Sequence, residues 1–454
     1  MHWTFRILRR GDPQYEPARC EAAWNGRVPN RYPELIVYPE TNEHVQSVVR
    51  YAKEHGLTIG TKSGGHSWTA SFLRDGGILV DLARMNHFEF DVDSRTATAQ
   101  PAAYGSDLNA ALTQHGLMFP GGHCPTVGLG GFLLQGGFGW NSRKWGVACE
   151  SVTAIDVVTA EGELLHASPE ENADFYWAAR GAGCGYFGLV VSFYLKLYTL
   201  PRGIMTARYV FEIAALGEVL PAIDAVSGDV PPDLEIGLFI ARDQDGFIGR
   251  PTFAITADCL SDTEDEARKA LGLLHNLPVM KKTIASSPYV SCTLREMLKR
   301  FDDILDNRGR RYEANNLWTD VPVTELLPMF HRITESLPPA PSHLYMMWWL
   351  PVRGRPEMAF SMEARLYVAL YAITIEQALD AKHKEYVVSS LKPLEKYRKG
   401  IQLADENLPD HPGKFMRTRN FTRLEKLRRK YDPQGRFYGY MRVPEEFEAV
   451  QATL

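Results

Sequence analysis

Two glycine-containing segments carry the side chains best suited to catalysis or to ligand binding. Residues 61–68 read TKSGGHSW and contain His66, and residues 121–146 hold eight glycines up to Gly139 together with Cys124. Because glycine has no side chain, such runs let the backbone approach something flat or anionic, and the amides of the first segment could converge on a phosphate oxygen. From these residues alone, tight turns at the rim of a sheet and a purely structural histidine remain open interpretations.

The nucleotide-binding and metal-binding motifs lack their usual context. Lys62 precedes the glycines, so the first segment is not a Walker loop. A GxGxxG at Gly183, Gly185 and Gly188 follows a predicted helix and opens a strand, the reverse of a Rossmann fingerprint. The six cysteines show no CxxC pair and no Cys/His ligand spacing. We therefore expect no nicotinamide cofactor, no metal site and no disulfide framework.

Length and charge limit the class of protein. A chain of 454 residues is too long for one core and predicts two or three domains. The formal charge of -5 comes without a basic block, which argues against nucleic acid as a partner. Apolar runs are shorter than the roughly 18 residues that a membrane helix needs, and the N-terminus does not resemble a signal peptide. We expect a soluble, cytoplasmic protein without a membrane partner.

The first segment is positioned by a strand, helix, strand unit. The pattern predicts a strand at 35–38, a helix capped by Thr41 and a strand at 57–60, which leads directly into residues 61–68. Residues 121–146 are expected to form neither ordinary helix nor strand, because each glycine costs backbone entropy and offers no side chain to pack.

The second half of the chain predicts a separate core. Between about 204 and 375, long strands alternate with amphipathic helices, which favours an antiparallel sheet with helices on one face. Alternation in one aromatic strand puts Tyr345 and Met347 on one face and Met346 and Trp348 on the other. Either face could be a pocket wall or plain core. The last part of the chain reads as helical, with a Lys and Arg run expected on a solvated face.

Six landmarks are spread over nearly the whole chain: SGGHS at 63–67, GHCPTVGLGG at 122–131, then GGFGW, SRKWG, DFYWAARGAGCGYFG and the terminal KYDPQGRF. In this order they resemble the berberine-bridge-enzyme-like branch of the vanillyl alcohol oxidase and p-cresol methylhydroxylase flavoproteins. The resemblance implies an α+β fold: a two-subdomain FAD-binding domain of the p-cresol methylhydroxylase type, and an antiparallel-sheet substrate domain covered by helices. It also implies domains at 1–203 and 204–384, with residues 385–454 returning to the FAD-binding domain.

The resemblance implies a doubly attached FAD. In that family, the histidine matching His66 is joined to the 8α methyl of FAD and the cysteine matching Cys124 to C6. Two bonds would hold the ring in place even in a wide site. Val127 matches the position that gates oxygen, and its small side chain is of the kind associated with oxidases. The other implied cofactor-binding residues are Lys62, Ser63, Gly64, Gly65, Ser67, Gly122, Thr126, Gly128, Gly130, Gly131, Gly139, Gly188 and Val190.

The catalytic base is where the sequence departs from the family. Members that oxidise alcohols or sugars often carry a Tyr-x-Asn motif, whereas Gln402 and Ala404 stand at the matching positions here. Glutamine cannot act as a base. Besides Gln402, which marks the family position, the catalytic candidates are Glu363, Tyr345, Tyr367, Asp405 and Tyr438.

The expected function is that of an FAD-dependent oxidase acting on a small or medium organic substrate: an alcohol, a sugar or a secondary metabolite. It would move a hydride from the substrate to flavin N5, with O2 reoxidising the flavin and leaving as hydrogen peroxide. Without the tyrosine motif, an alcohol, amine or phenolic donor is as plausible as a sugar. A dehydrogenase with another acceptor and a non-catalytic flavin-binding protein remain alternatives, and the oligomeric state stays open.

Overall fold

Three main sheets, with four, five and seven strands, organise the chain. The structure is a computed structural model, and it describes residues 3–244, 246–305, 309–352, 354–405 and 407–453. Across these ranges no helix has the length and apolar character needed to cross a membrane.

The four-stranded sheet lies near the N-terminus and has the order β1-β2-β4-β3. Its strands are β1 (Arg6–Arg9), β2 (Leu35–Tyr38), β3 (Ile59–Lys62) and β4 (Ile78–Asp81), and its helices are α1 (Tyr15–Glu21) and α2 (Asn42–Glu54). Thr41 caps α2 by accepting a hydrogen bond from the His44 amide. The predicted strand, helix, strand unit is confirmed, although β3 begins two residues later than expected because the Leu57 amide still bonds the Ala52 carbonyl.

The five-stranded sheet is antiparallel throughout, with the order β5-β6-β10-β8-β9. Its strands are β5 (Phe88–Asp91), β6 (Thr96–Ala99), β8 (Val152–Val158), β9 (Leu164–Ala167) and β10 (Leu189–Lys196), while β7 (Leu117–Met118) pairs with β11 (Tyr198–Thr199). The accompanying helices are α3 (Gly105–Leu112), α4 (Leu129–Leu134), α5 (Ser142–Trp145) and α6 (Ala173–Ala179). Because α6 precedes the GxGxxG and β10 follows it, the reversed order that excluded a Rossmann fingerprint is confirmed.

The helix α4 corrects one expectation. Residues 121–146 were expected to hold no regular helix, yet α4 runs through Gly130 and Gly131. Its inner side packs too closely for a side chain, since a Cβ on Gly130 would lie 2.9 Å from both the Pro101 Cβ and the Ser63 Oγ. Tertiary contact therefore outweighs the low helix propensity of glycine at this place.

The seven-stranded sheet is antiparallel and has the order β15-β12-β14-β13-β17-β18-β16. Its strands are β12 (Gly203–Glu212), β13 (Leu234–Arg242), β14 (Pro251–Ser261), β15 (Ala285–Ser291), β16 (Arg311–Thr319), β17 (His343–Trp348) and β18 (Leu366–Thr374). The helices are α7 (Leu216–Val226), α8 (Glu264–His275), α9 (Leu294–Leu305), α10 (Val323–Ser336) and α11 (Asp380–Leu391). The predicted α+β class is confirmed.

The two faces of this sheet have different roles. Met346 and Trp348 are fully buried in a core shared with α7, α8, α10 and α11. Tyr345 and Met347 point to the opposite face, which lines a cavity. The alternation read from the sequence is therefore confirmed, and the pocket wall is the tyrosine face.

The last two helices pack against the N-terminal half of the molecule. The last helices are α12 (Thr418–Tyr431) and α13 (Glu445–Thr453). Phe421 and Phe447 stack with ring centroids 3.9 Å apart and join the core that holds α6. Arg428 donates to the Gly185 carbonyl at 2.6 Å. The basic run of α12 was expected on a solvated face, and this contact shows that it is only partly solvated. The exact domain boundaries stay predictions.

Candidate functional site

A cavity of about 780 Å³ lies between the two glycine-containing segments and the face of the seven-stranded sheet opposite α7, α8, α10 and α11. Residues of β3, of both segments, of the start of β10 and of β13, β17 and β18 line it. The cavity therefore brings the sequence motifs and the predicted substrate sheet to one place.

The two glycine-containing segments cross each other at Gly64 and Gly128. A Cβ on Gly64 would lie 2.5 Å from the Gly128 nitrogen, and a Cβ on Gly128 would lie 2.8 Å from the Gly64 nitrogen. Side chains at either position would collide with backbone, which cannot yield cheaply. These glycines are therefore needed for the segments to contact each other. Gly131 differs, because a Cβ there would meet no atom within 4 Å.

The crossing brings His66 and Cys124 to the same threonine. Thr126 Oγ1 lies 3.0 Å from His66 Nε2 and 3.6 Å from Cys124 Sγ. The indole of Trp24 stacks on the imidazole with ring centroids 4.6 Å apart. Burial lowers the pKa of His66 to about 3, so the ring is neutral at ordinary pH and keeps a nitrogen lone pair for bond formation.

Most of the predicted cofactor-binding residues line the cavity. They are Lys62, Ser63, Gly64, Gly65, His66, Ser67, Gly122, Cys124, Val127, Gly128, Gly130, Gly131, Gly188 and Val190. Thr126 and Gly139 are not among the lining residues. Thr126 forms a hydrogen bond with His66 instead. Gly139 forms a β-bridge with Gly122, and a Cβ on Gly139 would lie 2.1 Å from the Pro120 carbonyl oxygen.

The polar side chains of the first glycine-containing segment already have partners within the protein. Lys62 Nζ forms an ion pair with Asp81 at 3.0 Å. Ser63 Oγ accepts from the Gly131 amide at 3.3 Å, and Ser67 Oγ accepts from the Ser71 amide at 3.1 Å. The binding of an anion there would therefore rely on backbone amides, as in a nest.

The residues present fit an FAD. One wall of the cavity is glycine backbone that a flat ring or a pyrophosphate can approach closely, and Gly131 faces open space. A neutral imidazole and a thiol, His66 and Cys124, stand on that wall as two nucleophiles.

The substrate-sheet side centres on Asp405. Its Oδ2 accepts hydrogen bonds from Tyr367 at 2.5 Å and Tyr371 at 3.3 Å, and its Oδ1 accepts from the Trp68 indole at 2.8 Å. All four side chains line the cavity. Three neutral donors therefore stabilise one carboxylate. One of these donors, Trp68, lies two residues after His66 in the sequence.

A single asparagine presents the segment that carries Asp405. The Asn316 amide donates to the Asp405 carbonyl at 2.6 Å and to the Gln402 carbonyl at 3.2 Å, while its oxygen accepts from the Gln402 amide at 2.7 Å. Asn316 lies on β16, two residues before Trp318, and Trp318 forms an isolated β-bridge with Gly400. The segment is therefore attached to the edge strand of the sheet, and Gln402 and Asp405 both line the cavity.

The tyrosines of this face stay protonated at neutral pH. Burial, followed by the nearby Asp405 charge, raises the pKa of Tyr367 and of Tyr371 well above the usual value. Burial also raises the pKa of Tyr345, with smaller contributions from Glu235 and Asp258. None of these phenols is ionised at neutral pH. Tyr367 can therefore accept a proton only if its own proton passes to Asp405.

Two catalytic candidates lie away from this cluster. Glu363 was expected on a strand, but it precedes β18 and does not line the cavity; Arg355 donates to it at 2.7 Å and the Trp349 indole at 2.7 Å. Tyr438 lines the cavity on the side of β3 and donates to the Asp75 carbonyl at 3.2 Å. Both are held by contacts remote from Asp405.

Several lining residues escaped the sequence reasoning. Trp68 closes the very motif that contains His66, and Tyr371 follows Tyr367 by four residues on the same strand face, so spacing could have found both. Trp24, Phe239 and His343 carry no such signal, because their place depends on the sheet order.

The comparisons with known proteins come from sequence and structure. The family model of the FAD binding domain matches residues 33–168. The FAD-linked oxidoreductase nodO of Hypoxylon pulicicidum is 31% identical over 452 residues, covering 96% of this chain and 97% of that protein.

Two solved structures share the fold. The 6-hydroxy-D-nicotine oxidase of Arthrobacter nicotinovorans superposes with a TM-score of 0.85, covers 98% of each chain and is 22% identical. The grass pollen allergen Phl p 4, a glucose dehydrogenase in its wild-type form, superposes with TM-scores of 0.81 and 0.82 in two structures, covers 96% of each chain and is 20% identical. A Phl p 4 variant with one isoleucine changed to valine is a glucose oxidase.

Proposed function

This chain belongs to the FAD-linked oxidoreductases, and on that premise we propose that it is a berberine-bridge-enzyme-like oxidase of a small or medium organic donor. FAD, attached through His66 and Cys124, supplies the hydride acceptor. In each turnover the donor loses one hydride and one proton, and O2 takes up both electrons and two protons and leaves as hydrogen peroxide.

The attachment part of the proposal rests on the neutral imidazole and the thiol beside Thr126. Each bond would replace one hydrogen of FAD by a protein atom, and O2 would take up the two electrons and the two protons released. Trp24 stacks on the imidazole and orients it. The crossing at Gly64 and Gly128 keeps the two nucleophiles on one wall.

The proton of the donor passes to Asp405, with Tyr367 as the relay. The phenol of Tyr367 accepts the donor's O–H or N–H proton while its own proton crosses the 2.5 Å hydrogen bond to Asp405. Trp68 and Tyr371 hold the carboxylate in place. This pair does the work of the tyrosine that Gln402 replaces.

Val127 supports O2 as the acceptor. Its side chain lines the cavity beside Cys124, and it is smaller than leucine or isoleucine. In Phl p 4 a change from isoleucine to valine separates a glucose dehydrogenase from a glucose oxidase. By analogy a Val127→Ile variant would slow reoxidation by air and leave reoxidation by a quinone unchanged.

The observation that carries the proposal is the meeting of His66 and Cys124 at Thr126, on the same cavity as the Tyr367 and Asp405 pair. The experiment is to screen alcohols, amines, phenols and sugars for peroxide release. We expect reduction of the flavin by a donor under argon and fast reoxidation on admission of air. Reoxidation no faster in air than under argon would overturn the oxidase part and favour a dehydrogenase.

A further inference from the structure

Thr126 presents its hydroxyl to both residues that are proposed to hold FAD. Its Oγ1 lies 3.0 Å from His66 Nε2 and 3.6 Å from Cys124 Sγ, and the larger sulfur atom allows a hydrogen bond at the longer distance. Thr126 is exposed and is not among the residues that line the cavity. The hydroxyl therefore contacts both nucleophiles from outside the cavity lining.

The turn that carries Cys124 and Thr126 is held by its own hydrogen bonds. The Ser106 hydroxyl donates to the Pro125 carbonyl at 2.6 Å, and the Val127 amide bonds the Cys124 carbonyl at 3.5 Å. These contacts fix the backbone on both sides of Thr126. The short distance between the thiol and the hydroxyl is therefore part of the folded turn.

The imidazole of His66 is held from the other side. The indole of Trp24 stacks on it with ring centroids 4.6 Å apart and planes at 26°. Asn25, the next residue, donates to the Tyr312 carbonyl and accepts from the Tyr312 amide on β16, each at 2.9 Å. The stacked indole fixes the plane of the imidazole, and the contact with Thr126 fixes the direction of Nε2.

The single proton of the Thr126 hydroxyl can be donated to only one of its two neighbours. Because burial lowers the pKa of His66 to about 3, the imidazole carries one proton at ordinary pH. If Thr126 donates to Nε2, that proton is on Nδ1, and the sulfur contact is a hydrogen bond only when Cys124 is a protonated thiol.

The opposite orientation of the hydroxyl changes both residues. If Thr126 donates to Sγ, then Nε2 carries the imidazole proton and donates to Oγ1, which leaves the lone pair of Nδ1 free. A donor to sulfur also favours the thiolate, which is the nucleophilic form of cysteine. One hydroxyl proton thus determines whether His66 and Cys124 are nucleophiles, and it does so for both together.

We propose that Thr126 is a positioning residue that prepares His66 and Cys124 together for the attachment of FAD, by donating to Sγ and accepting from Nε2. The inference rests on the proposed function, because it concerns how that attachment is made. For each bond the protein loses one proton, from Nε2 or from Sγ, and FAD loses one proton and two electrons. O2 takes up both protons and both electrons and leaves as hydrogen peroxide.

The test measures the rate of attachment in the full chain. The protein is made by cell-free translation with FAD present, synthesis is stopped, and samples are denatured in acid at intervals and digested. Mass spectrometry gives the flavin-linked fraction of the His66 peptide and of the Cys124 peptide. Thr126→Val keeps the shape without the hydroxyl and should lower both rate constants by at least about ten-fold, since a positioned proton donor or acceptor contributes about 10²- to 10⁴-fold.

Thr126→Ser retains the hydroxyl and should restore both rates. The matched control is Thr153→Val, which removes an exposed hydroxyl of β8 that bonds the Tyr194 carbonyl at 3.2 Å, and it should leave both rates unchanged. Unchanged rates in Thr126→Val, or a fall at one peptide only, would overturn the proposal. Slow attachment in Thr126→Ser would also overturn it, because the methyl group would then be responsible. Unaltered protein without attached flavin would instead overturn the proposed attachment itself.

Discussion

The two walls of the cavity are built by different means. The FAD-side wall is backbone: Gly64 and Gly128 let two segments cross, and the chemistry of His66 and Cys124 depends on that crossing. The substrate-side wall is side chain: strands far apart in sequence present aromatic rings, and the segment attached to β16 presents Asp405. A backbone wall tolerates almost no change, whereas a side-chain wall can vary residue by residue. We therefore expect substitutions on the first wall to affect cofactor binding and those on the second to affect the choice of substrate.

The most damaging change on the backbone wall is Gly64→Ala. The added Cβ would lie 2.5 Å from the Gly128 nitrogen, so the segments must separate and His66 leaves Thr126. We expect purified protein with no bound flavin, measured as the ratio of visible to protein absorbance. The control is Gly217→Ala on α7, where a Cβ meets no atom within 4 Å and flavin content should be unchanged. Full flavin content in Gly64→Ala would show that flavin binding does not require the close crossing at Gly64 and Gly128.

The largest effect on the side-chain wall is expected from Asp405→Asn. The amide keeps the shape but cannot take the proton that Tyr367 passes on, so kcat should fall by about 10²- to 10⁴-fold. Flavin content should not change, because the backbone wall is intact. Steady-state kinetics and the visible spectrum measure both, and Tyr386→Phe on the helix-covered face is the control. Near-normal kcat in Asp405→Asn would exclude this carboxylate as the proton acceptor.

His343 makes the stability of the side-chain wall depend on pH. Burial lowers the pKa of His343 from 6.5 to about 4, so between these values the unfolded chain binds a proton that the folded chain does not. The free energy of unfolding therefore falls as the pH falls through this window, by up to about 3 kcal/mol from this residue. His343→Phe keeps a ring between Phe239 and Tyr371 and removes the titratable group.

We expect the melting temperature of His343→Phe to drop less between pH 7 and pH 4.5 than that of the wild type. His166→Gln, which changes an exposed histidine, is the control and should follow the wild type. Parallel curves for wild type and His343→Phe would assign the acid sensitivity to other groups.

The smallest predicted effect joins the two walls. Trp68 belongs to the His66 segment, and its indole N–H donates to Asp405 at 2.8 Å. Trp68→Phe keeps a ring but loses this donor, so kcat should fall by about ten-fold with KM little changed, since one hydrogen bond to a carboxylate is lost. Trp145→Phe, whose indole stacks on Tyr198, is the matched control. A rise in KM with unchanged kcat would make Trp68 a binding residue instead.

The sequence predicted the backbone wall better than the side-chain wall. Glycine, histidine and cysteine in fixed order identify the two segments, because a backbone crossing can use few residue types. The helix α4 was missed because one of its glycines, Gly130, packs on Pro101, a tertiary contact that local propensity does not contain. The ring contacts of His343 with Phe239 and Tyr371, and the Asp405 cluster, depend on which strands are neighbours. β13 pairs with β17 across about a hundred intervening residues. Alternation could assign faces but not partners.

Attachment of FAD at both His66 and Cys124 can be measured directly on the denatured protein. The holoenzyme is denatured in acid, the chain is digested, and peptides are weighed by mass spectrometry. We predict one cross-linked species in which the His66 peptide and the Cys124 peptide are joined through a single FAD. In His66→Ala and in Cys124→Ala, FAD should stay on the remaining residue alone. Free FAD in the acid supernatant of the unaltered protein would show that neither His66 nor Cys124 holds the cofactor covalently.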